Sequence, residues 1–191
     1  MAAEKLYELW AKRNPKWEKR YEDKIIKTLT DYSKGQTSLR DERGKILGAG
    51  YEIYIIAFFL GLYNNQRRKL NEDSTKCKDF GHAIENWGNI NVVGKRHQYP
   101  KLREFIFTAL VARTDIDYIA LDKGEISVRK AVDALIQTME EYANWGFYFM
   151  EDKLIEDSSY FFKQTAFLEE FLLLGNNCTE YTNIDEPESL D

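Results

Sequence analysis

Along most of this chain apolar positions recur every three or four residues, the spacing of one face of an α-helix. Leu6 and Trp10 begin the pattern. Asn14-Pro15 then reads as an N-cap followed by proline at the first helical position. Trp17, Tyr21, Ile25, Leu29 and Tyr32 follow as one stripe edged by Lys and Arg. Gly35 is a fitting stop, and "GQTSLRDERGKILGAG" reads as a loop. Tyr99-Pro100 opens another predicted helix, with Leu102, Phe105, Ile106, Ala109 and Leu110 on one side. Ser127 is placed to cap a long helix whose stripe passes through Val128, Val132, Leu135, Met139, Tyr142, Gly146 and Phe149, about six turns. Asp157-Ser158-Ser159 starts a last helix carrying Phe161, Ala166, Phe167, Phe171 and Leu174, with Gly175-Asn176 at its end. Strand signals are weak, and "NINVVGK" (89–95) is the one short extended candidate.

Between these amphipathic stretches lies "GYEIYIIAFFLGLYNNQRRKL", where nearly every position from Tyr51 to Tyr63 is apolar. A membrane span needs about 20 such residues, and this run is too short. Glu52 would also be costly in lipid. A short helix that is hydrophobic all round belongs inside a bundle. The predicted architecture is therefore all-α: an irregular bundle of about five to seven helices around a central hydrophobic helix. Residues 1–180 make a single helical domain, in which the amphipathic 1–45 stretch can form a subdomain, and 181–191 is an acidic tail. Gly146 and Asn144 interrupt the long helix with residues of low propensity. Close helix–helix approach at Gly146 is the expected reason, and a kink shaping a groove is the alternative.

Composition fits a folded domain: 43% of the 191 residues are apolar and 14% aromatic, enough for a core. Charge changes the picture more. The net −5 hides an asymmetry, because residues 64–103 carry 9 Lys/Arg against 4 Asp/Glu, whereas residues 104–191 carry 6 against 19. Such polarity suits a basic face for nucleic acid, or a dipolar subunit that packs against copies of itself or a partner. The start of the chain is charged and amphipathic, without a signal-peptide apolar region. Cys77 and Cys178 stand far apart, and a reducing cytoplasm is the expected location.

Candidate chemistry is sparse. His82 and Glu85, three residues apart, with Glu52 recruited, are the nearest approach to a metal-dependent hydrolase site. The di-metal bundles that use this spacing need it twice and in the opposite order. Asp115, Asp117 and Asp122 lack the glycine and terminal glutamate of a calcium loop. Cys77, flanked by Lys76 and Lys78, is a candidate for a lowered pKa. No phosphate-cradling, nucleophile-elbow or CxxC motif occurs, so neither catalytic residue, metal nor cofactor is expected. Two basic clusters stand out instead. Arg67, Arg68 and Lys69 exceed what helix capping requires. Lys95, Arg96 and His97, with Lys101 and Arg103, precede the next helix, and Tyr99 is available to stack. If they converge, they form a site rich in phosphate-binding donors.

The order "GYEIYIIAFFLGLYNNQRRKL", then "TDIDYIALDKGEIS", then "EEYANWGFYFMEDKL", over residues 48–155, resembles small helical proteins of bacterial DNA-modification and anti-phage defence systems. Those accompanying DNA phosphorothioation are one example. The resemblance implies an accessory role near DNA and carries over no catalytic residue. The leading expectation is a non-enzymatic accessory protein of a nucleoprotein or genome-defence complex, touching the DNA backbone through its basic clusters. The alternative is a protein-interaction or self-assembling module using the acidic C-terminal half.

Overall fold

The computed structural model describes residues 2–30, 47, 50–87, 101–163 and 165–179. Within them the chain is largely helical, with one small sheet. Helix α1 is Ala2–Ala11, and strand β1 is Lys16–Glu18. Helix α2 joins a π-helical turn, Glu22–Ile26, to one α-turn, Lys27–Leu29. Helix α3 is Gly50–Tyr63, and strand β2 is Cys77–Asp79. Helices α4 (Leu102–Arg113), α5 (Tyr118–Asp122), α6 (Val128–Glu156) and α7 (Ala166–Thr179) complete the order. No described helix is long and apolar enough to cross a membrane.

The closest packing is between α3 and α6. A Cβ on Gly61 would overlap the backbone carbonyl of Tyr142, and one on Gly146 would overlap that of Ala57. Each helix therefore places a glycine against the other's backbone, and any side chain at either point would force them apart. Ile53, Tyr54, Ala57, Phe58 and Leu60 of α3 are buried around the crossing, as are Leu135, Met139, Tyr142 and Phe147 of α6. Gly146 makes the close approach that its position in the sequence suggested, and α6 runs through it without a break.

Other helix boundaries follow from local chemistry. The Ser127 side chain accepts the Lys130 N–H at 3.3 Å, capping α6. Asp117 accepts the Ile119 and Ala120 N–H groups and starts α5, so this aspartate acts as a helix cap. After α6, Asp157 accepts the Ser159 N–H and hydroxyl at 2.9 and 2.6 Å, and a 3-10 turn, Tyr160–Phe162, intervenes before α7.

The N-terminal segment departs from expectation. Pro15 does not open a helix. The next three residues form β1, antiparallel to β2 with Trp17 opposite Lys78. Trp17, Tyr21, Ile25 and Leu29 are buried all the same, because a strand followed by a helical turn also points them inward. Trp17 packs edge-on against Phe80 and beside Phe147, and Tyr21 stacks on Phe147. Aromatic burial and strand pairing outweigh the helical spacing here. Two further corrections concern later helices. Phe105, expected on an apolar face, is 65% exposed. Helix α7 does not stop at Gly175 but continues to Thr179. The expected stop at Gly35, the extended 89–95 stretch, the Tyr99-Pro100 opening and the 181–191 tail lie outside the described residues.

One polar clasp ties the sheet to α6. The Lys16 N–H donates to Glu140 Oε1 at 2.7 Å, and the Tyr54 hydroxyl donates to the Lys16 carbonyl at 3.1 Å. Burial pushes the Glu140 carboxyl up to about 7; its bond from Lys16 and the nearby Arg13 pull it back, while Asp79 pushes further.

Gly146→Ala or Gly61→Ala should destabilise the chain by about 3 kcal/mol, despite alanine's better helix propensity. Urea unfolding should show the double variant falling short of the sum, since both break one crossing. For Glu140 the folded carboxyl holds its proton up to about pH 7, while the unfolded chain releases it near its ordinary value. The native state thus binds more protons between those limits, and stability should fall as pH rises through them. Glu140→Gln should flatten that slope and exceed the parent above pH 7 by about 2–3 kcal/mol, read from urea midpoints against pH.

Candidate functional site: a basic segment laid across helix α6

Leaving α3, the chain turns through Asn65, a non-glycine residue with φ of 50°, the left-handed conformation asparagine tolerates best. Residues 66–71 then run without helix or strand across α6. The Gln66 N–H donates to the Gly61 carbonyl and the Arg68 N–H to the Glu141 carbonyl, both at 3.0 Å. Asn144 does the rest. Its side-chain amide, 2% exposed, donates to the Lys69 carbonyl at 2.9 Å, the Arg68 carbonyl at 3.2 Å and Glu18 Oε1 at 3.1 Å. Three acceptors around one nitrogen fix the amide's orientation. Glu18 Oε1 also accepts the Asn71 N–H at 3.0 Å, and Arg20 Nε donates to Glu18 Oε2 at 2.8 Å. One asparagine of α6 and one glutamate of β1 thus fasten the backbone beneath the basic cluster.

The side chains above it are arranged by aromatic rings. The Arg67 guanidinium lies 4.7 Å from the centre of the Tyr142 ring, and that of Arg68 lies 4.5 Å from the centre of Tyr148. Arg67 also donates to the Arg113 carbonyl at the end of α4. Arg113 reaches back to donate to Asn65 Oδ1 at 3.3 Å. Arg68 acts electrostatically on the Tyr21 hydroxyl. Burial pushes that hydroxyl up to about 12, while Arg20 and Arg68 pull it down. Among the described residues, no carboxylate pairs with Arg67, Arg68 or Lys69, and all three are exposed. Nearby cations are engaged differently: Arg20 and Lys24 both pair with the buried Glu151, at 3.1 and 2.7 Å.

Of the other expected cationic residues, Lys101 and Arg103 stand elsewhere. Lys101 precedes α4 and Arg103 lies in its first turn, about 15–18 Å along the axis from Arg113. Arg103 donates to the Glu85 carbonyl at 2.5 Å, so it braces a neighbouring turn. Lys95, Arg96, His97 and Tyr99 lie outside the described residues. Arg113, Tyr142 and Tyr148 are the members of the basic surface that sequence reasoning missed. The two tyrosines fall six apart within "YANWGFY", and nothing in the sequence ties them to arginines in another segment.

The metal alternative finds no support in the arrangement. Glu52 is buried in the first turn of α3, where a carboxylate favours the helix dipole. His82 and Glu85 are exposed in the loop after β2. Among the described residues no three His, Cys, Asp or Glu side chains gather as metal ligands. The Cys77 thiol is pushed up by burial and by Glu18, the opposite of the activation its lysine neighbours suggested. Compared with known proteins, the chain matches no family model, no curated protein and no solved structure.

Asn144→Asp is close to isosteric, yet it sets a second carboxylate against Glu18 and two carbonyl oxygens. It should cost about 3 kcal/mol at neutral pH. Part of that loss should return on acidification as one carboxyl takes up a proton, visible in urea midpoints measured at both pH values.

Proposed function

We propose that this chain is a non-enzymatic, cytosolic accessory protein of a nucleic-acid-handling complex, bacterial and tied to genome defence, that grips a phosphate backbone through Arg67, Arg68, Lys69 and Arg113. In this reading α3 is the central hydrophobic strut of the bundle, and the segment leaving it carries the contact. The observation that supports the proposal is the state of the arginines. Their guanidinium groups rest on tyrosine rings without a carboxylate partner among the described residues, on a backbone bonded to α6. Arg20, by contrast, is paired with Glu18 and Glu151. Guanidinium forks match phosphate oxygens, and contacts of this kind position a protein without reading sequence. Lys95, Arg96, His97, Tyr99 and Lys101 remain proposed as further phosphate contacts, while Arg103 is assigned to bracing.

A second reading is favoured by α7, whose Leu168, Leu172 and Leu173 are each more than half exposed. A leucine stripe beside an acidic half suits a partner protein or a second copy.

Binding of duplex DNA should weaken with salt, log affinity falling by about 0.9 per log unit of salt for each phosphate engaged. Replacing Arg67, Arg68 and Lys69 together by alanine should lower the slope by about 3 and cost about 1–2 kcal/mol of stability through the lost ring contacts, leaving the chain folded. An unaltered slope, or no binding of either duplex or single-stranded nucleic acid at low salt, removes the proposal. Ionic-strength-dependent self-association without nucleic acid would favour the second reading.

A further inference from the structure

Between α3 and α4 lies an open groove of about 580 Å³, lined by Phe59, Leu62, Tyr63, Leu102, Phe105 and Ala109, and closed at one end by Ala112 and Arg113. Its floor is apolar, yet two of its aromatic residues are turned outward: Tyr63 is 53% and Phe105 65% exposed. Large rings left in water at that level mark a surface that meets something. Among the described residues, Arg113 is the charged side chain in the lining, and its carbonyl holds Arg67. Lys101, exposed, stands before the opposite end of the same helix. The groove therefore has aromatic walls and a cation at one end, while Lys101 precedes α4 about 18 Å away along the helix axis.

We infer that this groove takes unpaired bases, so that the nucleic acid bound at the basic segment is single-stranded. The inference rests on the phosphate-binding reading and narrows its substrate class. Single-strand sites combine a cationic track for the backbone with aromatic faces on which bases stack, because every base offers a π-face. Tyr63 and Phe105 supply the faces, and Arg67 and Arg113 supply the track. A duplex keeps its bases stacked inside and presents nothing to such rings. The α4 side of the groove, from Leu102 to Arg113, spans about 17 Å, room for about five nucleotides at the stacked rise of 3.4 Å. Charge complementarity favours this occupant over a protein helix, which would need only the apolar floor.

The experiment is fluorescence anisotropy on the full chain, with a labelled oligothymidylate and a duplex of equal length at low salt. Phe105→Ala and Tyr63→Ala serve as variants; Phe105 is the more exposed of the two, whereas the Tyr63 ring also packs on Phe59 and Phe171, so Phe105→Ala is the cleaner test. Thermal unfolding of each variant confirms that they fold. The expected result is tighter binding of the single strand, weakened about ten-fold by either variant with the salt slope unchanged. Equal binding of duplex and single strand, or variants that bind the single strand like the parent, overturns the inference. The phosphate reading survives that outcome provided Arg67 and Arg68 still govern the slope. Binding of neither nucleic acid sinks both. Self-association that Tyr63→Ala abolishes would give the groove to a second copy and also overturn it.

Discussion

The contact on which this fold depends is backbone against backbone: Gly61 on Tyr142 and Gly146 on Ala57. Helices usually sit 8–10 Å apart because side chains separate them. Here two glycines remove that spacer at reciprocal points, so α3 and α6 are held at one crossing and one register. The register matters beyond the core. Tyr142, Asn144 and Tyr148 lie within a turn of the crossing, and the chain leaving α3 two residues after Gly61 passes directly over them. A shift of α6 by one residue would carry the asparagine away from the carbonyls it binds.

Around this crossing the buried polar groups do the locating that apolar contacts cannot. Glu18 is enclosed yet accepts bonds from Arg20, Asn71 and Asn144. Glu151 is enclosed yet paired with Arg20 and Lys24. Removing a single member of such a set leaves a charge without compensation, which costs more than the pair contributes. The set also explains why a three-residue strand persists near the N-terminus. β1 is held by its ladder to β2, by the Glu140 bond at Lys16, and by the reach of Glu18 toward the basic segment.

Much of the helical framework was legible in the sequence, and for a plain reason: α6 is long, periodic and capped by the serine immediately before it. The helix–helix contact at Gly146 was legible because a glycine in the apolar stripe of a strong helix has few other uses. β1 was not, since its partner lies about sixty residues away and three residues are too few to show alternation. Of the candidate site, the cluster Arg67–Lys69 was visible as a charge run, but its surroundings were not. Arg113 joins it only because α4 ends there, and the tyrosines act only because the segment crosses α6 above them. Lys101 and Arg103 follow the opposite logic, being near the other clusters in sequence and at the far end of a helix in space.

The placing of Arg67 and Arg68 on tyrosine faces has a thermodynamic consequence. A free arginine side chain samples many rotamers and surrenders roughly 2 kcal/mol of entropy when immobilised. With the guanidinium already resting on a ring and the main chain below it fixed, much of that loss has been incurred during folding. An anion arriving at this edge finds its donors pre-organised, so little ordering remains to oppose the encounter. Because the rings hold the groups without neutralising them, the surface keeps its full positive potential while staying rigid, a combination that carboxylate pairing could not provide.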